Sequence, residues 1–238
     1  MRLDICYRAL YAYDSWVAES QNEVRAAPVT DGRQHLVAYR LSVAPSSRAV
    51  AFTDYWGTRV DAFGVREPHL SLEIVAEAAV ETGEAFLLPA PTDFDALADP
   101  VFAANHDEYL ARTPHADWGD VVSAAAADAR TDDVVATVVG VHDLVRERMA
   151  YETGSTFIGI EVEKVLAEGH GVCQDFAHLA VAMCRSLGVP ARYVSGYLFT
   201  TSDFTGQDVD GDIVNVQTHA WFEAAVPWYG WMAMDPTN

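Results

Sequence analysis

The chain has 238 residues, half of them hydrophobic and 21% charged, a balance that excludes a disordered protein and suits one or two folded domains of roughly 100–200 residues each. Its 35 acidic side chains against 15 basic ones give a formal net charge of −20, which repels polyanions and argues against nucleic acid as a partner. No apolar run approaches the roughly 18 residues of a spanning helix, and the opening Met1-Arg2-Leu3-Asp4-Ile5-Cys6 is too short and polar for a secretory leader, so a cytoplasmic protein with no membrane segment is expected.

In chain order, the first eighty residues show short runs rich in Val, Tyr, Phe and Leu, such as Leu36-Val37-Ala38-Tyr39-Arg40-Leu41-Ser42-Val43 and Leu70-Ser71-Leu72-Glu73-Ile74-Val75-Ala76. These are strand signals, because β-branched and aromatic side chains fit a pleated surface. Turn signals at Pro28, Asp31-Gly32, Pro45-Ser46-Ser47, Trp56-Gly57 and Thr82-Gly83 punctuate them. Residues 1–88 are therefore expected to form an antiparallel β-sandwich. Residues 89–130, with Pro91, Asp93, Asp95, Asp99, Pro100 and Pro114, shift to turns and acidic side chains and read as a connector with short helical pieces.

Residues 131–238 read as a second, α+β domain. Apolar residues at Val134, Val135, Val138, Val141, Leu144, Val145 and Met149 recur at helical spacing, so an amphipathic helix is expected from Thr131 to about Tyr151 with Thr131 and Asp132 as caps. A shorter helix is expected through Gly159 to Ala167. Then Phe176, Leu179, Ala180, Met183 and Leu187 form an apolar stripe that stops at Gly188 with Pro190 close behind, the signature of a helix with a defined end.

Cys173 falls at or just inside the start of that helix, where unpaired N–H groups and the macrodipole favour a thiolate and the oxyanion formed when a thiolate attacks a carbonyl. Gly171 before it lets a substrate approach closely. The three cysteines are an odd, widely separated set, which argues against a disulfide framework. Cys6 and Cys184 are expected to be packed structural thiols. After a strand at Ala191–Phe199, Asp208-Val209-Asp210-Gly211-Asp212 hints at a calcium loop, but its glycine is one place early and no glutamate follows at the required position. A solvated loop bordering the site is the expectation.

In Val214-Asn215-Val216-Gln217-Thr218-His219-Ala220-Trp221-Phe222 the alternation places Asn215, Gln217, His219 and Trp221 on one face of a strand. After Pro227-Trp228-Tyr229-Gly230, the run Trp231-Met232-Ala233-Met234 reads as its hairpin partner and delivers Asp235 just before Pro236. Cross-strand neighbours lie roughly 4.5–5.5 Å apart, which brings Asp235 within reach of the imidazole.

Gly171-Val172-Cys173-Gln174-Asp175-Phe176-Ala177-His178, Val189-Pro190-Ala191-Arg192-Tyr193-Val194-Ser195-Gly196-Tyr197, His219-Ala220-Trp221 and Asp235-Pro236-Thr237-Asn238 together resemble the bacterial transglutaminase-like proteins, often described as proposed cysteine proteases. The resemblance is close over Thr131 to Asn238 and weaker over the N-terminal strands. It implies a papain-like α+β core, a helix headed by the cysteine and packed on an antiparallel sheet. It also implies Cys173 as nucleophile, His219 as general base and then acid, and Asp235 as the residue that fixes the imidazole. The reaction would be acyl transfer on an amide of a protein or peptide, by hydrolysis or transamidation through a thioester, with no cofactor; the Cys173 backbone N–H and the Gln174 side chain are the candidate oxyanion donors.

Two rivals come from other classes. A non-catalytic binding or scaffolding module could keep the fold without the activity, although all three reactive residues are present. A zinc hydrolase built on His170, Cys173 and His178 lacks a clear fourth ligand, and a helix places Cys173 and His178 on different faces.

Overall fold

A computed structural model describes residues 1–83, 87–157, 159–199 and 218–238. The chain separates into two compact units, Met1–Phe86 and Leu87–Asn238.

The first unit is built from β1 (Arg2–Val17), β2 (Ser20–Val24), β3 (Gln34–Ala44), β4 (Val50–Thr53), β5 (Arg59–Val65) and β6 (His69–Thr82). They form two three-stranded antiparallel sheets, ordered β1-β6-β3 and β2-β5-β4. Alternation along β6 explains the pairing: Leu72, Ile74 and Ala76 are buried against Phe63, Val65 and Val24 of the other sheet, while Glu73 and Glu77 between them take ion pairs from Arg8 and Arg40. Such exposed pairs are worth only about 0–1 kcal/mol each, so burial of the apolar face carries the sandwich.

The second unit contains α1 (Pro100–His106), α2 (Asp120–Ala127), α3 (Val134–Arg148), β7 (Ala150–Tyr151), α4 (Val162–Glu168), β8 (His170–Gly171), α5 (Cys173–Ser186), β9 (Ala191–Gly196), β10 (His219–Val226) and β11 (Gly230–Met234). The last three strands form an antiparallel sheet ordered β11-β10-β9, and β7 pairs in parallel with β8. Helix α5 is the centre. Phe176, Leu179, Ala180, Val181, Ala182 and Met183 bury it on nearly every side, with β10 and β9 along one flank and α2, α3 and α4 along others. Fully burying a Leu or Met side chain is worth roughly 1.5–3 kcal/mol, so the placement of α5 is held by many additive contacts.

Several boundaries differ from the sequence reading, each for a local reason. The cap of α3 is Asp133, not Thr131 or Asp132: its carboxylate accepts from Val135 N at 3.0 Å and Thr92 N at 2.8 Å, while Thr131 Oγ1 accepts from Asp133 N. The helix stops at Arg148, because Met149 is already extended. The helix expected from Gly159 begins at Val162. Residues 87–130 lie within the second unit. Glu163 of α4 accepts from Gly119 N at 2.7 Å and Val122 N at 3.0 Å, supplying the start of α2 with a cap from 44 residues away in sequence. The expected packed role of Cys6 is corrected, since it is exposed on β1: successive strand residues face opposite ways, and Ile5 and Tyr7 take the inner positions. The Asp208–Asp212 stretch and the Val214–Gln217 part of the expected histidine strand lie outside the described residues. Among the described residues no helix is long and apolar enough to cross a membrane.

Candidate active site

Cys173 is the first residue of α5, after Val172 in extended conformation. The local fold is fixed by Asp175, 2% exposed, whose Oδ2 accepts from Val172 N at 2.8 Å and from the Thr156 hydroxyl at 2.6 Å. This carboxylate satisfies an N–H group at the helix start and complements the macrodipole. Gly171 makes the turn possible: a Cβ there would sit 2.8 Å from both Cβ and Oδ2 of Asp175. Cys173 is half-buried, whereas Cys184 is 1% exposed and burial pushes its thiol up to about 12, an inert core group.

Opposite the helix start, His219 opens β10 and Asp235 follows β11. The register Phe222↔Met234 runs the hairpin so that the carboxylate crosses diagonally to the ring, and His219 Nε2 lies 2.7 Å from Asp235 Oδ2. Burial opposes a charged ring, but hydrogen bonds to Asp235 and to the Cys173 side chain outweigh it and raise His219 from its ordinary 6.5 to about 9. Burial likewise pushes the Asp235 carboxyl up, yet hydrogen bonds from His219, Thr237 and Asn238 outweigh that and bring it down to about 2. The three residues expected from sequence are therefore brought together, with one imidazole between thiol and carboxylate.

The support around them was not foreseen. Thr237 donates to Asp235 Oδ1 through both its backbone N–H (3.1 Å) and its hydroxyl (2.6 Å). From α3, His142 Nε2 donates to the Asp235 carbonyl at 3.0 Å, and Arg146 donates to the Asn238 backbone oxygen. Trp221 stacks near His219, with centroids 6.3 Å apart. Its indole lies over Gly196, where a Cβ would come within 2.5 Å of the ring. Tyr193 on β9 is pushed up to about 12 by burial, then by its neighbours Cys173 and Asp175. Burial, then the neighbouring Cys173, raises Tyr151 on β7 above the ordinary phenol value.

Tyr193 also stacks on His178, which in turn stacks on His115; burial lowers His178 to about 4, so its ring is neutral near pH 7. His170 Nδ1 instead lies 3.1 Å from the Glu168 carbonyl. The residues of the zinc alternative thus point to separate partners, and among the described residues no three His, Cys, Asp or Glu side chains form a metal-binding group. Arg192 holds Glu223 at 2.7 Å and lies over the Trp231 ring at 4.0 Å, a sheet-stabilising role. A cavity of about 70 Å³ beside α5 is lined by Gln174, Asp175, His178, His115, Ile160 and Val162 among others, so the expected oxyanion donor Gln174 faces it together with its neighbours at helical spacing.

Comparison with known proteins fits this arrangement. Residues 122–236 match the transglutaminase-like superfamily core, and residues 3–81 match the bacterial transglutaminase-like N-terminal region. An uncharacterised protein of Mycobacterium leprae is 33% identical over 240 residues, covering 100% of this chain and 83% of its own length. An uncharacterised protein of Mycobacterium tuberculosis is 31% identical over 257 residues, covering 100% and 79%. Among solved structures, a proposed cysteine protease from Cytophaga hutchinsonii superposes with a TM-score of 0.77 at 23% identity, covering 100% of this chain and 77% of that one. That likeness shows the shared fold.

Proposed function

Because the chain belongs to the transglutaminase-like superfamily, we propose that it is a thiol-dependent acyl-transfer enzyme acting on an amide of a protein or peptide. The observation that carries the reading is the single imidazole placed 2.7 Å from Asp235 Oδ2 and near enough to Cys173 for that side chain to help raise it to about 9. Near neutral pH the His219 ring holds a proton beside the sulfur, and Asp235 stabilises that cation and fixes the ring.

The Cys173 sulfur attacks the amide carbon, forming the S–C bond as the carbonyl electrons move to oxygen. The backbone N–H at the start of α5 supports the oxyanion. When the oxyanion collapses, the C–N bond breaks and His219 gives its proton to the departing amine. A thioester remains. Water or a second amine then attacks it, His219 takes the proton from the attacker, and the C–S bond breaks to return the thiolate beside the protonated ring.

The test pairs labelling with turnover. Iodoacetamide labelling read by peptide mass spectrometry is expected to single out Cys173 over Cys6 and to slow on His219→Ala. Incubation with casein and a fluorescent primary amine, with ammonia and new amino termini measured alongside, separates transamidation, side-chain hydrolysis and peptide cleavage. Labelling of Cys173 no faster than Cys6, with no product in any channel, would instead indicate the non-catalytic binding module.

A further inference from the structure

The carboxylate that partners His219 is bonded at both of its oxygens by the residues that follow it. Asp235 Oδ2 lies 2.7 Å from His219 Nε2 and also accepts from the side-chain amide of Asn238. Asp235 Oδ1 accepts twice from Thr237, through the backbone N–H at 3.1 Å and the hydroxyl at 2.6 Å. The backbone bond, from two residues on, is an Asx turn that any residue with an N–H could close. The hydroxyl bond needs a threonine or a serine. Its oxygen also lies 3.4 Å from His219 Nε2, and a hydroxyl that donates to one neighbour keeps lone pairs for another. The Thr237 hydroxyl thus sits against both members of the pair. With 25% of the Asp235 side chain exposed, packing alone does not immobilise the carboxylate.

We propose that Thr237 is a positioning residue for acyl transfer, whose hydroxyl bridges Asp235 Oδ1 and His219 Nε2 and so fixes both the plane of the carboxylate and the ring nitrogen that meets it. The inference rests on the acyl-transfer reading above. With Oδ1 tied to the hydroxyl, the carboxylate cannot turn about its Cβ–Cγ bond without breaking that hydrogen bond, so Oδ2 stays on the ring. With Nε2 committed to Oδ2, Nδ1 is the ring's other nitrogen and carries the exchanged proton. The hydroxyl itself loses no proton and bonds no substrate. Because it donates to Oδ1, it turns the negative end of its dipole toward the imidazole, which favours the protonated ring. The other titratable groups set against that ring are Asp235 and Cys173; His142 bonds the Asp235 backbone carbonyl, not the carboxylate.

Thr237→Val keeps the backbone N–H and the shape of the side chain and loses only the hydroxyl; Thr237→Ser keeps the hydroxyl. p-Nitrophenyl acetate acetylates Cys173: the S–C bond forms, the ester C–O bond breaks, and p-nitrophenolate leaves. Water then releases acetate by breaking the C–S bond, with His219 taking the water proton. Mass spectrometry follows the loss of acetyl from Cys173, and NMR of the imidazole follows the His219 titration. Thr237→Val is expected to slow deacetylation by about tenfold and Thr237→Ser to stay within about twofold of wild type, the scale of one hydrogen bond to a charged group. The His219 titration is expected to move down from about 9 in Thr237→Val and to stay in place in Thr237→Ser. If calorimetry shows Thr237→Val unfolded, Thr237→Ala supplies both readings. Deacetylation and titration unchanged without the hydroxyl overturn the proposal, as does slowing that serine does not repair or that leaves the titration in place; with His219→Ala still slow, the acyl-transfer reading stands. If wild-type Cys173 is acetylated no faster than Cys6, that reading fails and the proposal fails with it.

Discussion

His142 Nε2 and the backbone carbonyl of Asp235 lie 3.0 Å apart although 93 residues separate them in sequence. The carboxylate partner of His219 is thus itself held from α3. In the proposed reaction His142 would act as a positioning residue. His142→Ala is expected to lower kcat by roughly fivefold with KM little changed, since one hydrogen bond is worth about 1 kcal/mol, and His142→Asn is expected to restore part of the loss. Steady-state kinetics on whichever acyl substrate the casein assay identifies checks this, and an equal change in KM would contradict it.

Asp235→Asn tests the electrostatics. Removing the carboxylate charge is expected to reduce turnover by about 10²–10⁴-fold and to move the His219 titration down from about 9, as followed by NMR of the imidazole. A titration left near 9 in the variant would show that Asp235 is not the cause.

The same pair makes a signed prediction for stability. His219 is raised from 6.5 to about 9, so its contribution is fully present below pH 6.5 and is lost as pH rises through 9. Asp235 is lowered from 3.8 to about 2, so its contribution is present above pH 3.8 and is lost as pH falls through 2. Between about pH 4 and 6.5 both apply. The Tm difference between wild-type protein and Asp235→Asn should be largest in that window and should shrink above pH 9; a constant difference across pH 5 to 10 would refute the linkage.

Gly171→Ala is expected to displace the Asp175 carboxylate, because the new Cβ would lie 2.8 Å from it. Overpacking typically costs about 1–3 kcal/mol, and at this size each kcal/mol shifts Tm by about 2–4 °C. Differential scanning calorimetry should show a loss of that order, with slower iodoacetamide labelling of Cys173 as the helix start shifts.

Gly196→Ala meets the Trp221 ring at 2.5 Å. The indole must move away from its place beside His219, so a change in tryptophan fluorescence together with reduced turnover is expected. Retention of both would mean that Trp221 has room to adjust.

The legible parts of the molecule share one property: their signals are local. A helix announced by Phe176, Leu179, Ala180 and Met183 and ended by Gly188, which has φ +80°, follows from apolar spacing and one glycine. The hairpin that carries His219 and Asp235 follows from two short alternating runs. The sequence blocks that carry the family likeness are contiguous in the same way. Thr156 and His142 were invisible because each acts across a long sequence separation. The two-residue pair β7–β8 is too short to produce a periodic pattern, so nothing marks Tyr151 as a neighbour of Cys173. His142 and Arg146 are the fainter case: four residues apart on a mostly apolar helix, they form a polar edge that could have suggested a buried partner. Asp133 caps α3 through the local Val135 N, beside the equally polar Thr131 and Asp132, and only its second partner, Thr92, lies 41 residues upstream.

Helix α5 is anchored at both ends. Asp175 bonds the chain before its first turn, while Gly188 N to Arg185 O at 3.0 Å and Val189 N to Cys184 O at 2.9 Å close its last. Between those anchors the helix serves as a ruler, setting the distance and the angular bearing from the start of β9 to the sulfur. One residue inserted between Phe176 and Ser186 would rotate one end by about 100° and lengthen the span by about 1.5 Å, turning the thiol away from the imidazole that β10 mounts on the same sheet as β9. Changes in chain length should therefore be tolerated in the loops of this domain and forbidden within that interval.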